Sequence, residues 1–240
     1  MAVDTYPRFR DLSFEAMRLL YYHYFRVDAH GLEHIPQSGA GIIVANHSGQ
    51  LPIDAAMVSV AAATNPFGKR NVQVLLGEWL ERSGLISGMV KKMGAKIASA
   101  DVVNRLLARN QLLMHFPEGV LGASKPFNQR YQLKRFRPDF IRWAVDHEVP
   151  IIPAAIIGCE EVLPTVTQWP WLANRLGLPY FPVAFPLPLP AKVHLYFGEP
   201  LNLSGPVEDD DWCREQLEVI QHKVRTLVGR GLVERDSWFN

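Results

Sequence analysis

Apolar residues recur along this chain at two spacings. Over residues 13–26, SFEAMRLLYYHYFR, the side chains Phe14, Met17, Tyr21, Tyr24 and Phe25 return at helical intervals, which predicts a helix with one apolar face. Elsewhere the apolar residues come in short unbroken runs. GIIVANH, VQVLL, LLMHF, VPIIPAAIIG and KVHLYFGEP each read as a buried strand, and KIA as a weaker one. Amphipathic stretches lie between them. Pro52 and Asp54 open IDAAMVSVAAAT, which Asn65-Pro66 closes; Asp101 is expected to cap VVNRLLARN; FRPDFIRWAVDHE carries Pro138 near its start. Short helical segments are expected from VQVLL to about Met93. From about Asp209 onward, Trp212, Ile220, Val224 and Leu227 define the apolar face of a C-terminal helix. Strands alternating with helices predict an α/β fold: a mainly parallel sheet with helices on both faces, preceded by an N-terminal amphipathic helix. No internal repeat is present. The expected organisation is an N-terminal helical, membrane-associating segment over residues 1–30 and one domain over 31–240.

Bulk properties narrow the classes. The chain has 240 residues, 48% apolar and 20% charged, enough for one well-buried core and unlike a disordered chain. A formal net charge of +1 gives no global field for nucleic acid, so none is expected as a partner. Cys159 and Cys213 lack metal-ligand spacing and read as reduced thiols of an intracellular protein. No apolar run reaches the ~18 residues of a spanning helix, and the acidic, interrupted N-terminus lacks the apolar core of a signal peptide. The expected location is the cytoplasmic face of a membrane. Nothing in the sequence sets an oligomeric state.

Chemistry is expected just beyond the carboxyl ends of parallel strands. Two polar sequences fall there: Asn46-His47-Ser48-Gly49-Gln50-Leu51-Pro52-Ile53-Asp54 after GIIVA, and Phe116-Pro117-Glu118-Gly119 after LLMH. A single histidine after a strand is ordinarily structural, and an acid at a helix start is ordinarily a cap. It is their occurrence together with the Pro-Glu-Gly turn that points to catalysis. His30 and His34 are four residues apart, but Gly31 and Pro36 suit a loop rather than a metal-binding helix. His115, inside an apolar run, reads as a core histidine or one supporting the site. No G-x-S-x-G elbow and no phosphate-binding or dinucleotide glycine pattern occurs.

In order and spacing these blocks resemble the glycerol-phosphate and lysophospholipid acyltransferase family, over roughly Gly31 to Pro200. GLEHIPQSGAGIIVANHS is similar to the family's first block with its Asn-His motif. MGAKIASADVVNRLLARNQLLMHFPEG is similar to the second and third, and VPIIPAAIIG to the fourth. Two departures stand out. Six residues, Ser48 to Ile53, separate His47 from Asp54 where the family has four; the extra Gly49-Gln50 is expected to loop out. The family's phosphate-handling arginines are replaced by Ala98-Ser99-Ala100-Asp101 and by Val120-Leu121. The stretch GASKPFNQRYQLKRF looks more like the branch with monoacylglycerol- and diacylglycerol-type enzymes. Lys125, Arg130 and Lys134 are the candidates to supply charge to a phosphorylated acceptor, against their reading as a solvated basic face.

The resemblance implies transfer of a fatty acyl group from acyl-CoA or acyl carrier protein to a lipid hydroxyl, with no cofactor beyond that donor. A neutral imidazole, with a pKa near ~6.5, accepts a hydroxyl proton near neutral pH, and a carboxylate beside it fixes its tautomer. His47 is expected to be that base and Asp54 its orienting acid. Gly119 is expected to bring backbone N–H groups to the developing oxyanion, and the resemblance implies that Glu118 orients the acceptor. Two other readings remain at this point: a non-glycerolipid acceptor, and a lipid-binding protein without turnover. Residues 169–190, WPWLANRLGLPYFPVAFPLPLP, carry Arg175 as their one charge. Repeated proline excludes one long helix there, and aromatic residues favour the headgroup zone. Trp169, Trp171, Leu172, Tyr180, Phe181 and Phe185 are therefore expected to contact membrane lipids, aided by the N-terminal helix.

Overall fold

The computed structural model describes residues 7–47, 52–77, 88, 92, 94–176, 180–184, 187–235 and 237. Its strands are β1 (Asp28–His30), β2 (Gly41–Ala45), β3 (Val72–Leu76), β4 (Lys96–Ile97), β5 (Leu112–His115), β6 (Ile151–Ile157), β7 (Thr165–Gln168), β8 (Pro182–Ala184) and β9 (His194–Phe197). Seven of them form one sheet in the order β1-β9-β6-β2-β5-β3-β4. Neighbours are parallel except β6 and β9, so β1 and β9 run against the other five. The fold is the α/β arrangement that the apolar pattern implies.

β2 and β6 lie at the centre and are buried at every residue. A parallel strand covered on both faces needs apolar side chains in both directions, which is why these runs are unbroken rather than alternating. Ile43, Ala45, Ile152, Ala154 and Ile156 enter one core layer; Ile42, Val44, Ile151, Ala155 and Ile157 enter the other. The first layer is covered by α1 (Pro7–Leu19) and α2 (Ile53–Ala63). The second is covered by α3 (Ala100–Leu107), α5 (Asp139–Asp146) and α8 (Asp210–Glu234). Between α3 and α5 lies the short α4 (Gly119–Ala123), and between α5 and α8 lie α6 (Cys159–Val162) and α7 (Pro170–Leu176).

α1 begins earlier than the apolar face suggested. It passes into a wider π turn over Leu20–Tyr24, closed by the Phe25 N–H on the Leu20 carbonyl at 2.8 Å. Phe14, Met17 and Tyr24 pack on the core, and Tyr21 and Phe25 are buried in it, so the expected inward face is the observed one. The strand that follows, β1, pairs with β9 in the central sheet.

Several local expectations change. Asp101 does not cap α3: Ser99 holds the cap position and Asp101 sits in the first turn. The proline-rich stretch is more regular than its composition suggests. α7 lies inside it, and β8 pairs antiparallel with β7 in a separate two-stranded sheet. Proline is tolerated in such an edge strand because its missing N–H faces outward. The expected helical segments before Met93 lie almost entirely outside the described residues. Among the described residues, no helix is long and apolar enough to cross a membrane.

Candidate active site

β5, β2 and β6 are adjacent and parallel, so their carboxyl ends open onto one edge of the sheet. Each is followed by a polar sequence: Phe116-Pro117-Glu118-Gly119, Asn46-His47, and Gly158-Cys159-Glu160-Glu161. The first two were expected to meet here. The third was not singled out, because two glutamates after a strand look like an ordinary solvated helix start.

Asn46 is buried and acts as a piece of strand backbone. Its side-chain amide donates to the Ile156 carbonyl at 2.9 Å, and its oxygen accepts the Ile156 N–H at 2.8 Å. This closes the ladder between β2 and β6 where β2 ends, and so sets the direction in which His47 leaves the sheet. The His47 imidazole stacks on Phe116, with ring centroids 4.4 Å apart. Its Nδ1 lies 2.7 Å from Oδ2 of Asp54, in the first turn of α2. The longer gap between the two residues thus leaves the pair intact, while residues 48–51 lie outside the described residues. The other Asp54 oxygen accepts the Ala55 N–H at 2.7 Å.

Asp54 is fully buried, whereas the His47 side chain keeps 19% exposure. A carboxylate can only accept here, so Nδ1 carries the proton and Nε2 is left as the basic nitrogen. Burial, followed by the negative charge of Asp54, raises the pKa of the Tyr180 phenol. Tyr180 is itself buried, and not on the outer surface expected of it.

Glu118 is engaged by backbone groups. Its carboxylate is fully buried; Oε1 accepts the backbone N–H of His47 at 2.8 Å and Oε2 that of Lys134 at 2.7 Å. It thereby joins the backbone at His47 to that at Lys134. Gly119 sits at φ +54 and donates its N–H to the Phe116 carbonyl at 3.0 Å. That donor closes the turn. Gly122, which sequence reading passed over, is required by space: a Cβ there would lie 2.6 Å from Cβ of Glu118 and 2.8 Å from Cβ of His47.

The three basic candidates do not form a solvated face. Lys125 is buried, with Nζ 2.8 Å from Oε1 of Glu160 and 3.6 Å from Oε2 of Glu118. Arg130 places its guanidinium over the Phe127 ring at 4.5 Å, with Nε 4.0 Å from Oε1 of Glu161. Lys134 donates from Nζ to Oε1 of Gln129 at 2.6 Å. The segment they belong to is anchored at its middle as well. Tyr131, at φ +63, donates its N–H to Oε2 of Glu160 at 2.6 Å, and its hydroxyl accepts the Gly158 N–H at 2.9 Å. Arg235, just past α8, reaches both oxygens of Glu161 at 2.8 Å. Burial raises the pKa of Glu160, against the lowering effect of Lys125.

His115 is neutral, its pKa pushed down to about 3, by burial first and then by Arg137 and His47. It lies among Phe140 and Trp143, as a core histidine would. Among the described residues, no group of three or more His, Cys, Asp or Glu side chains is placed to hold a metal ion. His30 stacks on Tyr196, while His34 bonds the Phe197 carbonyl. Both cysteines are free thiols.

A mainly parallel α/β sheet with an Asp-His pair at a strand end suits proton transfer, and sequence comparison supplies the family. Residues 26–157 match the family model described as Acyltransferase; the chain belongs to that family. It is 40% identical over 233 residues to the uncharacterized protein Rv0502 of Mycobacterium tuberculosis, covering 89% of this chain and 65% of that one. The uncharacterized protein ML2427 of Mycobacterium leprae is 37% identical over 233 residues, covering 89% of this chain and 64% of its own length. The chain therefore spans slightly less than two thirds of these relatives. Among solved structures, the 1-acyl-sn-glycerophosphate acyltransferase PlsC of Thermotoga maritima superposes with a TM-score of 0.60. At 20% identity, over 95% of this chain and 83% of that one, the likeness is one of fold.

Proposed function

We propose that the protein transfers a fatty acyl group from a thioester, acyl-CoA or acyl carrier protein, to a hydroxyl of a glycerolipid or lysophospholipid at a membrane surface. The observation that carries this reading is the 2.7 Å contact between Nδ1 of His47 and Oδ2 of Asp54, on a family member's sheet edge. Nε2 of His47 takes the hydroxyl proton as the oxygen attacks the thioester carbonyl. The tetrahedral intermediate collapses, the C–S bond breaks, and the leaving sulfur receives the proton from the imidazolium. Asp54 stabilises that imidazolium and stays ionised. The thioester is already activated, so the enzyme needs no nucleophile of its own. The PlsC neighbour, named for a lysophosphatidic acid acceptor, supports a glycerolipid. The internal partners of Lys125, Arg130 and Lys134 favour an acceptor that does not depend on those residues for phosphate binding.

The test is a purified-protein assay with acyl-CoA and acyl carrier protein donors against phosphorylated and neutral glycerolipid acceptors. Free thiol and ester product are followed together. The expected result is acceptor-dependent thiol release matched one-to-one by ester. Thiol release that ignores every acceptor would mark a hydrolase, and no release with any donor would mark a binding protein; either overturns the reading.

A further inference from the structure

Most of the buried charge near His47 belongs to groups that the transfer step does not use. Glu118, Glu160 and Glu161 are three carboxylates, each almost fully buried. Carboxylates in such positions are retained only where cations and N–H donors hold them. Glu118 accepts two backbone N–H groups, one from His47 and one from Lys134. The cation within reach of both Glu118 and Glu160 is Lys125, whose side chain is itself 2% exposed. Glu160 in turn holds the N–H of Tyr131. Residues 125–134 are thus fastened at Lys125, Tyr131 and Lys134 to the carboxylates that follow β5 and β6, and one of those carboxylates fastens the base.

We infer that Lys125 is a positioning residue for His47: its ammonium, set between Glu160 and Glu118, fixes the Glu118 carboxylate that grips the His47 backbone N–H. The chain of contacts is short. Lys125 Nζ is 3.6 Å from Oε2 of Glu118, and Oε1 of the same group is 2.8 Å from the His47 nitrogen. Glu118 and His47 both pack close to Gly122, where an added Cβ would lie 2.6 Å from Cβ of Glu118 and 2.8 Å from Cβ of His47. A shift of Glu118 would thus bear on the residue whose imidazole stacks on Phe116 and bonds Asp54. Lys125 touches neither donor nor acceptor in this account. The inference rests on His47 being the base, and it extends that reading to a lysine whose sequence context suggested a phosphate contact.

Misplacing a catalytic group by about 1 Å costs roughly 10²-fold in rate. Two variants of the full chain test the inference. Lys125→Met removes the cation. Lys125→Met/Glu160→Gln removes it together with one carboxylate, so that less charge is left buried and unpaired. The expected result, in whichever variant melts cooperatively, is a fall in kcat of about 10- to 100-fold with KM for both substrates held within about twofold. Exchange of the His47 amide hydrogen is expected to accelerate at least about tenfold. Placing the double change in a His47→Ala background should lower the residual rate no further, since its effect passes through His47. An unchanged kcat and His47 amide in a folded variant overturns the inference, as does an equal loss in the His47→Ala background, which would mark a scaffold role. If neither variant folds, the wild-type amide decides: exchange as fast as that of an unprotected peptide overturns the grip itself. Full activity of His47→Ala would instead refute the base, while the amide still reports what Lys125 does.

Discussion

Single residues at this site divide into those whose role is local and those whose role is set from far along the chain. His47, Asp54, Glu118 and Gly119 stand at strand ends and helix starts, where short-range pattern is informative, and their gathering on one sheet edge was legible. The partners that hold Glu118 were not. The Glu118 partners are 71 residues and 16 residues away, and no local pattern reports such pairings. Glu160, Tyr131 and Arg235 escaped for the same reason, since each is explained only by a distant partner and alone reads as surface; Lys125 and Asn46 were singled out, but not for the partners they have. The pair that sequence did suggest makes a direct prediction. Asp54→Asn should keep the fold but lose the acceptor that holds the proton on Nδ1. The expected fall in kcat is on the order of 10²–10⁴, with a smaller change in KM, read by steady-state kinetics. An Asn variant with wild-type kcat would mean that the 2.7 Å contact has no part in turnover.

Elements were legible in proportion to their length and to the purity of their pattern. β2 and β6 announced themselves as unbroken apolar runs, and α8 by its spaced apolar face. β1, β7 and β8 have three or four residues each, too few for any period, and exist because a neighbouring strand supplies their hydrogen bonds. The β7–β8 pair and α7 include the residues from which a membrane contact was expected. Tyr180 is turned inward and Phe185 lies outside the described residues; Leu172 and Phe181 are half-buried. Trp169 and Trp171 remain exposed, at 45% and 64%, with Val166 and Leu187. The Gln168 side chain donates to the Ser124 carbonyl just past α4, so this apolar surface adjoins the active site. α1 and the π turn after it turn Leu12, Leu19 and Tyr22 outward as well. Tryptophan favours the headgroup zone of a bilayer, and an acyl chain has to reach the site from there. The variant Trp169→Ser/Trp171→Ser, with its fold verified by melting, is therefore expected to float with liposomes in a clearly smaller fraction than wild type. Undiminished flotation would assign the contact to the outer face of α1.

At the scale of the whole molecule, the sheet converts distant sequence into proximity. The central strands β5, β2 and β6 point the same way, and three separated polar segments arrive on one edge. The alternation of strands and helices was enough to anticipate that edge, but not the reversal of β9 and β1, because a strand's direction leaves no mark on its own residues. Family membership and fold support the proposed acyl transfer, while the position of the Asp-His pair assigns the proton to a particular nitrogen. That assignment is tested most directly by the acyl-transfer rate of a His47→Ala protein whose melting matches wild type. Removal of the base predicts a fall of ~10²–10⁴ in kcat at neutral pH, with the fold retained because the side chain lies at the rim of the core. A folded His47→Ala protein that transfers acyl groups at close to the wild-type rate would contradict the account.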